Sequence, residues 1–133
     1  MGLAVLIIVA LIYGAMTASL SALPSPGRLE TAWANRVKAW YIHRAARAQP
    51  PPPPPPFNPA AAAGLFSMAC AVCHGHDGRH PANIGLALYP RVLDLGSPEV
   101  QRFSNAQLYW IVHNGIRLSG MPGFGHILAP QDV

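Results

Sequence analysis

Hydrophobic and polar positions divide the chain into four stretches. Residues 2–22 carry no charge and few polar side chains. At about 1.5 Å per helical residue, such a run matches the roughly 30 Å hydrocarbon layer of a bilayer. Residues 1–23 are therefore expected to form a transmembrane helix. A signal peptide is the alternative, since Thr17, Ser19 and Ser21 are small, but the apolar run is longer than a usual signal core and no basic segment precedes it. Over residues 24–48, Leu29, Trp33, Val37, Trp40 and Tyr41 recur at helical steps among basic side chains, which predicts a basic amphipathic helix. It would lie on a lipid surface or pack on a partner subunit. Residues 49–57 hold the proline run Pro50 to Pro56, a polyproline II linker extending about 22 Å at about 3.1 Å per residue. As a semi-rigid spacer it would lift the C-terminal domain off the bilayer.

Residues 58–133 carry helical signals and no sustained strand alternation, so the fold class is all-α. Asn58-Pro59 is an N-cap and first-turn pair leading through the alanines towards Cys70. Residues from Gly75 to Gly96 read as a wrapping loop, and Ser97-Pro98-Glu99 starts a short helix. Ser104 and Gln107 form a capping-box pair. The helix they open presents Leu108, Ile111 and Val112 and stops at Gly115.

Charge distribution removes one class of partner. Arg28, Arg36, Lys38, Arg44 and Arg47 face only Glu30, whereas Arg79, Arg91, Arg102 and Arg117 balance Asp77, Asp94, Glu99 and Asp132. The net charge of +4 thus sits in one helical segment. It does not describe a nucleic-acid interface, and no nucleophile–base pairing or phosphate-binding loop appears.

The chemistry lies in Cys70-Ala71-Val72-Cys73-His74, the C-x-x-C-H signature of covalent haem attachment. Two thiols three positions apart can join the two vinyl groups of one haem c, and the adjoining imidazole reaches its iron. Structural zinc would need four ligands, and these are the only cysteines, leaving His74, His76 and His80 in one cramped loop. A dithiol redox site would follow a strand, and none precedes Cys70. The second axial ligand decides between electron transfer and small-molecule binding. Met121, in Ser119-Gly120-Met121-Pro122-Gly123, is the candidate, because its loop is poor in side chains. Met1, Met16 and Met68 read as packing residues. His126 and His113 stand behind Met121 as ligands.

The chain resembles the class I c-type cytochromes, in particular bacterial membrane-anchored monohaem cytochromes. The resemblance rests on Gly64-Leu65-Phe66, the Cys70 to His74 site, Leu88-Tyr89-Pro90-Arg91 with Asp94-Leu95, and Asn114 to Pro122, and covers Asn58 to about Gly125. It implies a small helical fold around one haem, His74 and Met121 as axial ligands to iron, and an electron carrier. It also implies that a proline carbonyl, Pro90 first and Pro81 second, accepts from the proximal imidazole. Arg91 is expected to pair with a haem propionate. In this family a last helix crosses the first, and Ala129-Pro130-Gln131-Asp132-Val133 resembles only its start, so a C-terminally truncated haem domain is expected.

The functional expectation is a membrane-tethered carrier of one electron between redox protein donors and acceptors of a respiratory chain, not an enzyme itself. It would sit in the bacterial inner membrane with membrane lipid around it and the haem domain facing the periplasm. The basic residues after residue 23 argue for the opposite orientation by the positive-inside rule, but haem attachment outside the membrane outweighs them. The alternatives are a haem subunit of a dehydrogenase or oxidase complex, and a ligand sensor or peroxidase with a labile Met121.

Overall fold

A computed structural model describes residues 2–17, 21 and 23–133. Seven helices follow one another, with no strand among the described residues. The helix α1 (Gly2–Thr17) is uncharged and predominantly apolar, and packs on no other helix among the described residues. Its 16 residues reach about 24 Å at 1.5 Å per residue. Among the described residues no helix is long and apolar enough to cross a membrane. Residues 1, 18–20 and 22 of the expected 1–23 span lie outside the described residues.

The basic segment forms α2 (Arg28–Ala48), entered through an extended Gly27 whose amide donates to Glu30 Oε2 at 3.3 Å. Helix α3 (Pro59–Ala69) starts as its sequence predicts, with Asn58 Oδ1 accepting from the Ala60 and Ala61 amides at 3.1 Å. Helices α4 (Ala71–His74), α5 (Asn83–Ala87) and α6 (Pro98–Gln101) are single turns. The longer α7 (Asn105–Asn114) carries the predicted Ser104 and Gln107 box and ends at Gly115, whose φ is +71°. Helix α5 interrupts the stretch expected to be all loop.

The core joins α2 to α7, and here the structure departs from the sequence reading. Ile42, Ala46 and Trp110 are buried together, with Ala45, Phe103, Ile111 and Ile116 around them. Tyr41 meets the Trp110 ring edge-on at 5.7 Å, and Trp110 Nε1 donates to Gln49 Oε1 at 3.1 Å. The residue α7 buries is therefore Trp110, outside the predicted set of Leu108, Ile111 and Val112, with Ile111 partly buried against the same cluster. A large ring with one polar atom is satisfied only where apolar side chains and an amide acceptor meet, as they do at the end of α2. The proline run is no spacer between separated bodies, because the helix before it packs on the domain after it. Tyr89 adds a second tie by donating its hydroxyl to Glu30 Oε1 at 2.5 Å.

The haem-motif turn and the methionine loop

Cys70 falls at the break between α3 and α4, with its amide bonded to Phe66 O at 2.9 Å, so α3 delivers the motif without interruption. Cys73 and His74 lie on the next turn, and the His74 amide returns to Cys70 O at 2.9 Å. Both thiols are free and half-buried. Burial raises the Cys70 thiol above its ordinary value. Two residues close this turn where a side chain would not fit. Gly75 has φ +74°, and a Cβ there would strike the His80 carbonyl. Gly85 brings α5 so close that a Cβ would strike the Cys73 carbonyl, which also accepts from the Ala82 amide at 3.1 Å.

The His74 imidazole is half-buried, and desolvation holds it below its ordinary value, with the Leu93 backbone offsetting part of that shift. A neutral ring keeps the lone pair that a metal needs. Its Nδ1 is buried and has no partner of hydrogen-bond geometry. Pro90, the expected acceptor, is exposed and does not bond it, and Pro81 does not either. The cause is the path of the chain. The Val92 amide donates to Gly85 O at 3.1 Å, and Gly85 lies against Cys73, so residues 92–93 rather than Pro90 pass the motif. Arg91 is exposed and has no ion pair among the described residues.

Met121 is half-buried in a loop fastened at both ends. Inside it, the Ile116 amide donates to Met121 O at 3.1 Å, and the Met121 amide donates to Ser119 Oγ at 3.2 Å. Ser119 Oγ itself donates to Ile116 O at 2.7 Å, a clamp that spacing alone does not reveal. Beyond Met121 the chain folds back on α7, with Phe124 N bonded to Val112 O at 3.0 Å and Gly125 N to His113 O at 2.9 Å. Gly115 and Gly123 permit that return, since a Cβ on Gly123 would lie 2.7 Å from Asn114 O. Leu88, just after α5, fits against Gly120. Helix α5 thus touches the motif turn at Gly85 and reaches the methionine loop through Leu88.

His113 stacks on Tyr109 at 5.5 Å and lies against Gly125, while His126 is exposed. Asp77 binds His80 at 2.6 Å on the surface, which lowers the carboxyl and raises the imidazole. No cluster of three or more metal-ligating His, Cys, Asp or Glu side chains occurs among the described residues. Two free thiols on one turn, a half-buried imidazole beside them with an unpartnered Nδ1, and a thioether in a fastened loop fit a covalent haem.

The family model described as cytochrome c oxidase, cbb3-type, subunit III matches residues 57–133, more than half of the chain. No curated protein and no solved structure matches. The chain belongs to this family, a class I c-type cytochrome domain, and its cofactor is a covalent haem c with iron.

Proposed function

We propose that this member of the cbb3-type subunit III family transfers single electrons through its haem c as a membrane-tethered domain facing the periplasm. The haem supplies an iron centre that accepts and releases one electron. Cys70 and Cys73 hold it as thioethers, and His74 is the proximal ligand. Met121 is the second ligand, carried by a loop that Ser119 and the α7 carbonyls restrain. Restraint of this kind matters because electron transfer is fast when a ligand set changes little between oxidation states, and His with Met suits a stable couple. Arg91 remains the candidate for a propionate. The observation that carries the reading is the joining of the motif turn to the methionine loop through Gly85 and Leu88.

A second reading, a fixed haem subunit of a membrane oxidase complex, is favoured by the description of the matched family. Co-isolation with membrane partners in mild detergent supports it, and release as a single chain supports the free carrier.

Optical spectra of the haem-loaded protein test the ligand set. A far-red methionine-to-iron band, its loss in Met121→Ala, and no carbon monoxide shift in the unaltered protein are expected. An immediate carbon monoxide shift in the unaltered protein overturns electron transfer by a closed iron and points to ligand sensing or peroxide turnover.

A further inference from the structure

Helix α2 has two working sides. Ile42 and Ala46, one turn apart, are buried against α7. Leu29, Trp33, Val37 and Trp40 follow one another at helical steps and are 88, 71, 45 and 60 % exposed. Trp33 precedes Ile42 by about two and a half turns, which places it on the opposite side of the helix. The stripe runs about 16 Å along the axis at 1.5 Å per residue. Packing on the haem domain therefore does not cover it.

We propose that this outer stripe lies in the headgroup layer of an anionic membrane, so that α2 fixes the haem domain directly on the lipid surface. The inference deepens the membrane-tethered reading above and rests on it. Three observations select lipid over a protein groove. Arg36, Arg44 and Arg47 sit on the same side as the tryptophans and have no ion pair among the described residues. A dry protein groove would have to meet each guanidinium with a carboxylate, whereas lipid phosphates neutralise all three and leave their stems on the apolar layer. Glu30, the only acid of the helix, holds the Tyr89 hydroxyl and forms no ion pair with these arginines among the described residues. Tryptophan is also the side chain that settles at the boundary between hydrocarbon and water.

The test uses the full haem-loaded chain in vesicles. With Cys70 and Cys73 in thioethers, an introduced cysteine is the only free thiol, and the absence of label on the unaltered chain checks this. Val37→Cys, on the stripe, and Ala39→Cys, about 200° round the helix, each receive an environment-sensitive fluorophore. Both positions are exposed, so neither change removes core packing. In mixed phosphatidylcholine and phosphatidylglycerol vesicles, the Val37 label is expected to shift to the blue and lose emission to a lipid-borne quencher. The Ala39 label is expected to do neither. Pure phosphatidylcholine, high salt, or Arg36→Gln with Arg44→Gln should weaken quenching at position 37. Equal quenching of both labels, or of neither, overturns the proposal. A blue-shifted Val37 label insensitive to the lipid quencher also overturns it, and assigns the stripe to a protein. None of these outcomes alters the iron spectrum, so failure here is distinct from failure of the electron-transfer reading.

Discussion

Ile42→Ala separates a haem domain that includes α2 from one that merely trails it. Ile42 is 1 % exposed and is the largest fully buried side chain among the described residues. The change removes three carbon atoms, worth about 2.4 kcal/mol at about 0.8 kcal/mol per buried methylene. A residual cavity adds to this, and Ile to Ala changes in cores span about 2–5 kcal/mol. The seam between α2 and α7 is a single two-helix contact that can partly close, so the lower half of that range applies, about 2–3 kcal/mol. That lowers the folding equilibrium constant roughly 30- to 150-fold, since about 1.4 kcal/mol is tenfold. Guanidinium unfolding of the haem-loaded chain measures it, followed through the far-red methionine band, which reports the loop carrying Met121 rather than α2 itself. The exposed Trp33→Ala is the control and should change stability by less than about 0.5 kcal/mol. A loss below about 0.5 kcal/mol in Ile42→Ala would show that α2 and the haem domain fold independently, and the fixed-helix argument would fall with it.

Gly115→Ala places a Cβ at φ +71°, close to Met121 O and Gly123 N; left-handed geometry alone costs about 1–2 kcal/mol, and the methionine band should weaken as carbon monoxide gains access. An unchanged spectrum would show that the loop does not depend on this turn. Gly120→Val should likewise disturb the band, and Leu88→Ala in the same chain should restore part of it, because the three atoms nearest an added Cβ all belong to the Leu88 side chain. Additive effects in that double-mutant cycle would remove Leu88 as the link. At the surface, Asp77 lies below and His80 above their ordinary values. The Asp77 contribution to stability is present above its unfolded value of 3.8 and lost as pH falls through the depressed one. The His80 contribution is complete below 6.5 and lost as pH rises through the raised value. The pair therefore helps most between these limits, and histidine proton resonances of Asp77→Asn should show His80 titrating lower; an unmoved titration would dismiss the pair.

Local signals in the sequence are decisive where one residue fixes one backbone group. The Asn58 cap, the Ser104 and Gln107 box and the stop at Gly115 all stand as the chain spells them. The haem motif is legible because covalent spacing leaves little freedom. The choice of face is not. Leu108, Ile111 and Val112 look like the apolar side of α7, but Trp110, one position off that set, has the larger ring and an amide acceptor in Gln49. On α2 the most hydrophobic stripe is the exposed one, while the modest Ile42 and Ala46 are buried. Periodicity ranks faces by apolarity, and tertiary packing selects them by fit. Pro90 misses His74 for a related reason, since the pairing of Val92 with Gly85 sets which residue passes the imidazole.

The free carrier and the fixed subunit differ less in their haem site than in what α2 permits. A haem domain on a flexible stalk samples many orientations, and its encounter rate with a membrane partner follows the effective concentration that the linker sets. Here the stalk is shortened by packing, since Trp110 meets Gln49 at the end of α2 and Tyr89 meets Glu30 at its start. Both ends of a 21-residue helix are thus tied to the domain, one to the helix before the methionine loop and one to the segment after α5. The segment after α5 also meets the methionine loop, where Leu88 lies against Gly120. The face of the domain presented to a partner is consequently set by contacts other than the hydrogen bonds that restrain Met121. Loosening α2 should therefore alter partner reactivity before it alters the iron.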